Sequence, residues 1–169
     1  MFDRLKSFMT DVASAPAAPR DFQPDDYRLA AASLLVHLVH ADGIVDAFES
    51  QRLRDIIARN FQLDSTQTKQ LIASAEESDK EAVDFYHFTK TLTHALDYEG
   101  RQKIVEMMWE IAYADGSVQE LEENIVARIS DLLSVSAHDR LRLRNYVAEK
   151  RERETFEGPW SRKFTEQAR

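Results

Sequence analysis

Four carboxylates in two short stretches are the residues of this chain best suited to chemistry. Ala41-Asp42-Gly43-Ile44-Val45-Asp46-Ala47-Phe48-Glu49 returns as Ala114-Asp115-Gly116-Ser117-Val118-Gln119-Glu120-Leu121-Glu122, so the pattern A-D-G-x-V-x-x-x-E occurs twice at an offset of 73 residues. Oxygen donors of this kind favour hard cations such as Ca²⁺, Mg²⁺ or Mn²⁺ over zinc or copper. Two such turns packed about a pseudo-twofold axis would bring Asp42, Glu49, Asp115 and Glu122 together as a shared metal site, with Asp46 and His40 as additional candidate ligands. The stretch is not an EF-hand, because that loop needs alternating acidic ligands and a Glu at its twelfth position.

A purely structural reading stands beside this one. Gly43 and Gly116 suit the left-handed residue that ends a helix. Glu49 lies three residues after Asp46, as in a capping box; in the second copy Gln119 holds the cap position and is a poor N-cap, so that box is expected to be weak. Asp42 and Asp115 are harder to explain, since a carboxylate at a helix C-terminus meets the negative end of the dipole and costs about 0.3–1 kcal/mol. They would be tolerated if each bonds the N–H groups that follow and closes the turn.

The elements that must position these residues are helical. Four Gly and four Pro in 169 residues, with abundant Ala, Leu, Glu, Arg and Gln, argue for helices with short connections. One helix is predicted from a cap at Asp25 through Leu34, Leu35 and Leu38 to Gly43, and the next from Asp46 through Leu53, Ile56 and Ile57. A third, capped by Asp64 or Ser65, carries Leu71, Ile72 and Ala75 and is expected to break at Glu76-Glu77-Ser78-Asp79. Phe85, Phe88, Leu92 and Leu96 form one buried stripe. Ile104, Met108 and Ile111 then lead to Gly116, Ile125, Ile129, Leu132 and Leu133 make the following helix, and Leu141 to Val147 a last one. At the 73-residue offset Leu34, Leu35 and Leu38 align with Met107, Met108 and Ile111, and Leu53 and Ile56 with Val126 and Ile129, which is the mark of an internal duplication. The expected fold is an all-α, single-domain helical bundle of two duplicated helix-turn-helix units. Residues 1–24 are an amphipathic segment and a Pro/Ala linker, 25–149 the helical domain, and 150–169 a charged tail whose lone Trp160 docks back onto the body.

Composition removes several function classes. The chain has no cysteine, which excludes disulfides, thiolate metal sites and cysteine nucleophiles and fits the cytoplasm. No apolar run reaches the roughly 18 residues of a membrane span, and no secretory signal is visible. The net charge of -8 weighs against nucleic acid, and the arginines around Arg140–Arg153 are interleaved with acids in the manner of a solvated helix. Phe2, Leu5, Met9 and Val12, with Phe8 nearby, make a small apolar stripe; Asp3 and Asp11 offset Arg4 and Lys6, so packing on the protein's own body is favoured over a membrane surface. His37 and His40 are not reproduced by the duplication, being aligned with Glu110 and Tyr113, and read as ordinary boundary histidines. No phosphate loop, HExxH or activated serine appears, so no enzyme activity is expected. Between Glu106 and Glu123 there are six carboxylates and no Lys or Arg, and Glu106, Glu110, Glu120 and Glu123 are the candidate acidic face for an unidentified protein partner.

The paired A-D-G-x-V-x-x-x-E segments in a helical frame resemble the tellurite-resistance protein B (TerB) family over about Asp26 to Val147. The resemblance implies an all-helical duplicated bundle, acidic residues suspected of binding metal, here Asp42, Glu49, Asp115 and Glu122, and a domain that also occurs fused to a J-domain in membrane-anchored co-chaperones. The expected function is a divalent-cation-binding module in a stress-response or membrane-associated assembly. A metal-free interaction module with an acidic docking face is the alternative.

Overall fold

The computed structural model describes residues 22–156. The N-terminal stripe, most of the linker and Trp160 lie outside them. Seven α-helices and no strand are found among the described residues: α1 Tyr27–Val39, α2 Ala47–Phe61, α3 Ser65–Glu81, α4 Tyr86–Ala95, α5 Tyr98–Ala112, α6 Glu120–Leu132 and α7 Ala137–Phe156. The expected all-α fold is the observed one.

Helix α1 is the axis of the bundle. Its run Leu29–Val36 is buried on every side, followed by Leu38 and Val39, because α2, α3, α4 and α5 all pack against it. A helix that is apolar all round belongs in the middle. Ile56, Ile57, Leu71, Ala75 and Leu92 close over one half of it, and Val105, Met107, Met108, Trp109 and Ile111 over the other. Helix α7 packs mainly on α5, where Trp109 donates its indole N–H to the Arg140 carbonyl at 3.1 Å. The Arg144 guanidinium lies 5.5 Å over the same indole.

Several boundaries differ from expectation for identifiable reasons. The cap of α1 is Asp26, one residue after Asp25, and the Asp26 carboxylate accepts from the Arg28 backbone N–H at 2.9 Å. Helix α1 stops at Val39, so Gly43, with φ +76°, is not its first residue past the cap but the last of a turn closed by Gly43 N–H to the His40 carbonyl. Helix α3 runs through the acidic stretch to Glu81 instead of breaking there, as glutamate is a good helix former, and its Asp79 takes a bond from His37 at 2.8 Å across the bundle. Helix α6 buries Glu122, Val126, Ile129 and Ser130, while Leu132 is exposed and Ile125 only partly covered. Helix α7 continues past Lys150 to Phe156, so the assumed start of the tail falls inside a helix, where Arg151 reaches back to the domain.

Candidate functional site: two acidic turns

Each acidic turn is built by the same local bonds. After α1, Ala41 N–H donates to the Leu38 carbonyl and Gly43 N–H to His40; after α5, Ala114 N–H donates to Ile111 and Gly116 N–H to Tyr113. Both glycines have positive φ, +76° and +107°, which a side chain would strain. Asp42 Oδ1 accepts from the Ile44 N–H at 2.9 Å, and Asp115 Oδ1 from the Ser117 N–H at 3.1 Å. Turn closure by the two aspartates is therefore real, and it occupies one oxygen of each.

The glutamates sit at the third position of the helices that leave the turns. Asp46 caps α2 with a complete capping box, Glu49 Oε2 accepting from the Asp46 N–H at 3.3 Å. In the second copy Glu122 Oε2 accepts from the Gln119 N–H at 2.9 Å, so the glutamate's half of the box is in place whatever residue caps the helix. Glu122 is buried to 9% exposure whereas Glu49 is only partly covered.

Electrostatics tie the turns together. Glu49 and Glu122 hold their protons above the ordinary glutamate range, first because burial penalises their charged forms, and further because neighbouring carboxylates repel them. Asp46, Asp42 and Asp115 all act on Glu49, and Asp115, Glu49 and Asp42 on Glu122, while the backbone bonds pull the other way. Coulombic influence therefore runs between the two turns, from Asp115 to Glu49 and from Asp42 and Glu49 to Glu122. Among the described residues no Lys or Arg forms an ion pair with any of the four. No three His, Asp or Glu side chains among the described residues converge closely enough to make a ready cation cage. The donor set fits a hard cation in kind, being oxygen-only and uncompensated, with one oxygen of each carboxylate turned to a backbone N–H.

The remaining candidates scatter. His40 is exposed at the end of α1, and Asp46 is an exposed cap. His37 does not join it but pairs with Asp79, its ring 4.6 Å from Phe85. Glu106, Glu110, Glu120 and Glu123 do not make one acidic face. Glu110 is buried at 1% exposure against Arg59 and Arg52 of α2, Glu123 is paired with Arg144 at 2.8 Å and Glu106 with Lys103 at 3.2 Å, which leaves Glu120 exposed. Burial decides Glu110: a charge taken out of water needs a partner, and α2 supplies two.

Sequence reasoning passed over the basic residues that frame the site. Arg52 and Arg59 stand seven apart on α2, two helical turns on one face, and that spacing was the available signal. Arg151, which reads in the sequence as part of a solvated, acid-interleaved helix, instead donates from Nη2 to the Ala114 carbonyl at 2.9 Å and holds α7 on the second turn. Ile44, Val45, Phe48 and Leu121 form exposed apolar positions within the motifs.

No curated protein and no solved structure matches the chain. A family model described as tellurite resistance protein TerB matches residues 28–145, which takes in α1 to α6, both acidic turns and the first half of α7. The chain belongs to the TerB family.

Proposed function

We propose that this TerB domain is a cytoplasmic binding module that takes a divalent cation of the Ca²⁺, Mg²⁺ or Mn²⁺ class between its two acidic turns, as part of a stress-response or membrane-associated assembly. The observation that carries the reading is the uncompensated repulsion among Asp42, Glu49, Asp115 and Glu122, which burial strengthens at both glutamates. A divalent cation would supply positive charge among four carboxylates that form no ion pair with lysine or arginine among the described residues, and these four residues would hold it. The role is binding, not catalysis: the cation would fasten the α1–α2 turn to the α5–α6 turn or complete a surface for a partner.

The test is thermal unfolding of chelator-treated protein with each ion added, beside Asp42→Asn and Asp115→Asn. A saturable rise in midpoint for one ion, lost in both variants, is expected. No rise with any of the three ions, or with Zn²⁺ added as a fourth, would remove the cation from the account.

One observation favours a second reading. Ile44 and Phe48 are 71% and 78% exposed beside the acidic turns, a combination suited to a basic amphipathic segment of a partner protein. Binding of this kind weakens with salt and ignores chelator.

A further inference from the structure

A groove of about 650 Å³, sharing no residue with the acidic turns, opens between the start of α1, the end of α3 and the start of α4. Its two banks differ in chemistry. Ser74, Glu77, Ser78 and Glu81 face it from α3 at spacings of three and four residues, one stripe of that helix, and Asp84 continues the acidic line past the helix end. Leu29 and Ala30 of α1 and Phe88 of α4 supply an apolar bank, joined by half-buried Phe22 and by Val83, which is exposed at 100%.

The charge on the α3 bank is not balanced within the domain. Among the described residues Glu81 and Asp84 form no ion pair. Glu77 meets Lys80 at 3.8 Å with both side chains 71% exposed, a pair that water screens. Asp84 Oδ1 accepts from the Tyr86 N–H at 2.9 Å, which leaves its charge in place. Arg28, 5.0 Å over the Phe22 ring, is held by Asp26 at 3.0 and 2.7 Å and so does not neutralise the bank. His87 is the further titratable group in the lining.

An acidic bank facing an apolar one suits an occupant that is cationic on one flank and apolar on the next. No strand edge exists among the described residues for an extended peptide to lengthen, so a helix, which satisfies its own backbone groups, is the form that fits. Glu77 and Glu81 stand about 6 Å apart along α3, the rise that also separates residues i and i+4 of a helix laid beside it. We infer that the groove between α1, α3 and α4 docks a basic amphipathic helix of a partner protein. Its apolar stripe sits on Phe22 and Val83, and lysines or arginines at i and i+4 on one flank meet Glu77 and Glu81, with Asp84 taking a further one. Nothing in this depends on cation binding at the acidic turns.

The test uses the full-length ¹⁵N-labelled chain and a synthetic helical peptide with leucines at i, i+3, i+4 and i+7 and lysines four apart on one flank, beside the same peptide with glutamates for the lysines. Saturable amide shifts in residues 22–30 and 74–88 are expected with the lysine peptide, with or without chelator, and about tenfold weaker binding of the glutamate peptide. Glu77→Lys with Glu81→Lys should reverse that preference, which unselective apolar adhesion would not do. Val83→Ser should weaken the lysine peptide about threefold. All three positions are exposed, so unchanged thermal midpoints are expected. Shifts centred on Ile44, Phe48 and Leu121 would move the partner to the acidic turns, and equal affinity for both peptides would leave an unselective apolar surface. Shifts at 74–88 that grow with protein concentration alone would give the groove to a second copy. Binding that begins only after Leu5→Asp with Met9→Asp would give it to the chain's own first residues. Each of these, like the absence of any saturable shift, would overturn the inference.

Discussion

The two acidic turns share their backbone bonds and differ in what covers them. The first, at Asp42–Asp46, leaves Ile44, Val45 and Phe48 exposed and half-covers Glu49. The second lies under α7: Arg151 bonds the Ala114 carbonyl, Val118 packs on the core and Glu122 is buried. One motif thus occurs in two settings, a turn strapped by α7 and a turn that is left exposed. Trp109, which stands where the first unit has Val36, is what brings α7 to the second turn and not to the first.

The comparison can be broken at that residue. Trp109→Ala is expected to cost about 3–5 kcal/mol and to lower the unfolding midpoint steeply, because it empties a fully buried indole site and deletes the bond to Arg140. Arg151→Ala should cost about 1 kcal/mol and make the second turn resemble the first, seen as faster amide exchange at Gly116 and Ser117 with Gly43 and Ile44 unchanged. Glu122→Gln and Glu49→Gln sharpen the contrast through pH. Both carboxyls have raised proton affinity in the fold, so the stability they contribute is present below the ordinary glutamate value of 4.5 and is lost as pH rises through the folded value. Without cation each amide variant should be more stable than the parent at pH 7 and match it in acid, with the larger gain at the more buried Glu122; equal curves at both pH values would dissolve the electrostatic coupling. Gln119→Ser supplies the short cap that Asp46 gives the first copy, and about 0.5 kcal/mol of stabilisation is expected, read from the denaturant midpoint.

What the sequence revealed and what it hid divide along local and long-range physics. Periodic apolar residues, Asp46 and Asp64 as caps, and the two glycines made helices and turns visible because each signal is contained within one or two helical turns. The end of α2 was not visible, since Gln62 takes the left-handed conformation at φ 52° without being glycine. The partner that Asp79 of α3 finds in His37, 42 residues earlier, is a long-range contact. Likewise Glu110 looked like one more carboxylate in an acidic run, and only the tertiary packing of α2 on α5 turns it inward to two arginines. For the candidate site, the identity of the four carboxylates and their mutual influence were legible from the doubled motif. Their distances were not, as these are set by how α2 meets α5.

That meeting is fastened by Glu110, whose Oε2 faces Arg52 and Arg59 from two successive levels of α2. Two guanidiniums about 10 Å apart along α2 thus converge on one carboxylate oxygen of α5, Arg59 by a hydrogen bond and Arg52 by a looser ion pair at 3.7 Å, and tie the two helices there. The gap between the acidic turns is accordingly a property of helix joinery rather than of the loops that carry the acids. Changes of residue type at Ile44 or Ser117 would alter what borders the gap, whereas loss of the buried carboxylate at Glu110 would let its two banks drift out of register.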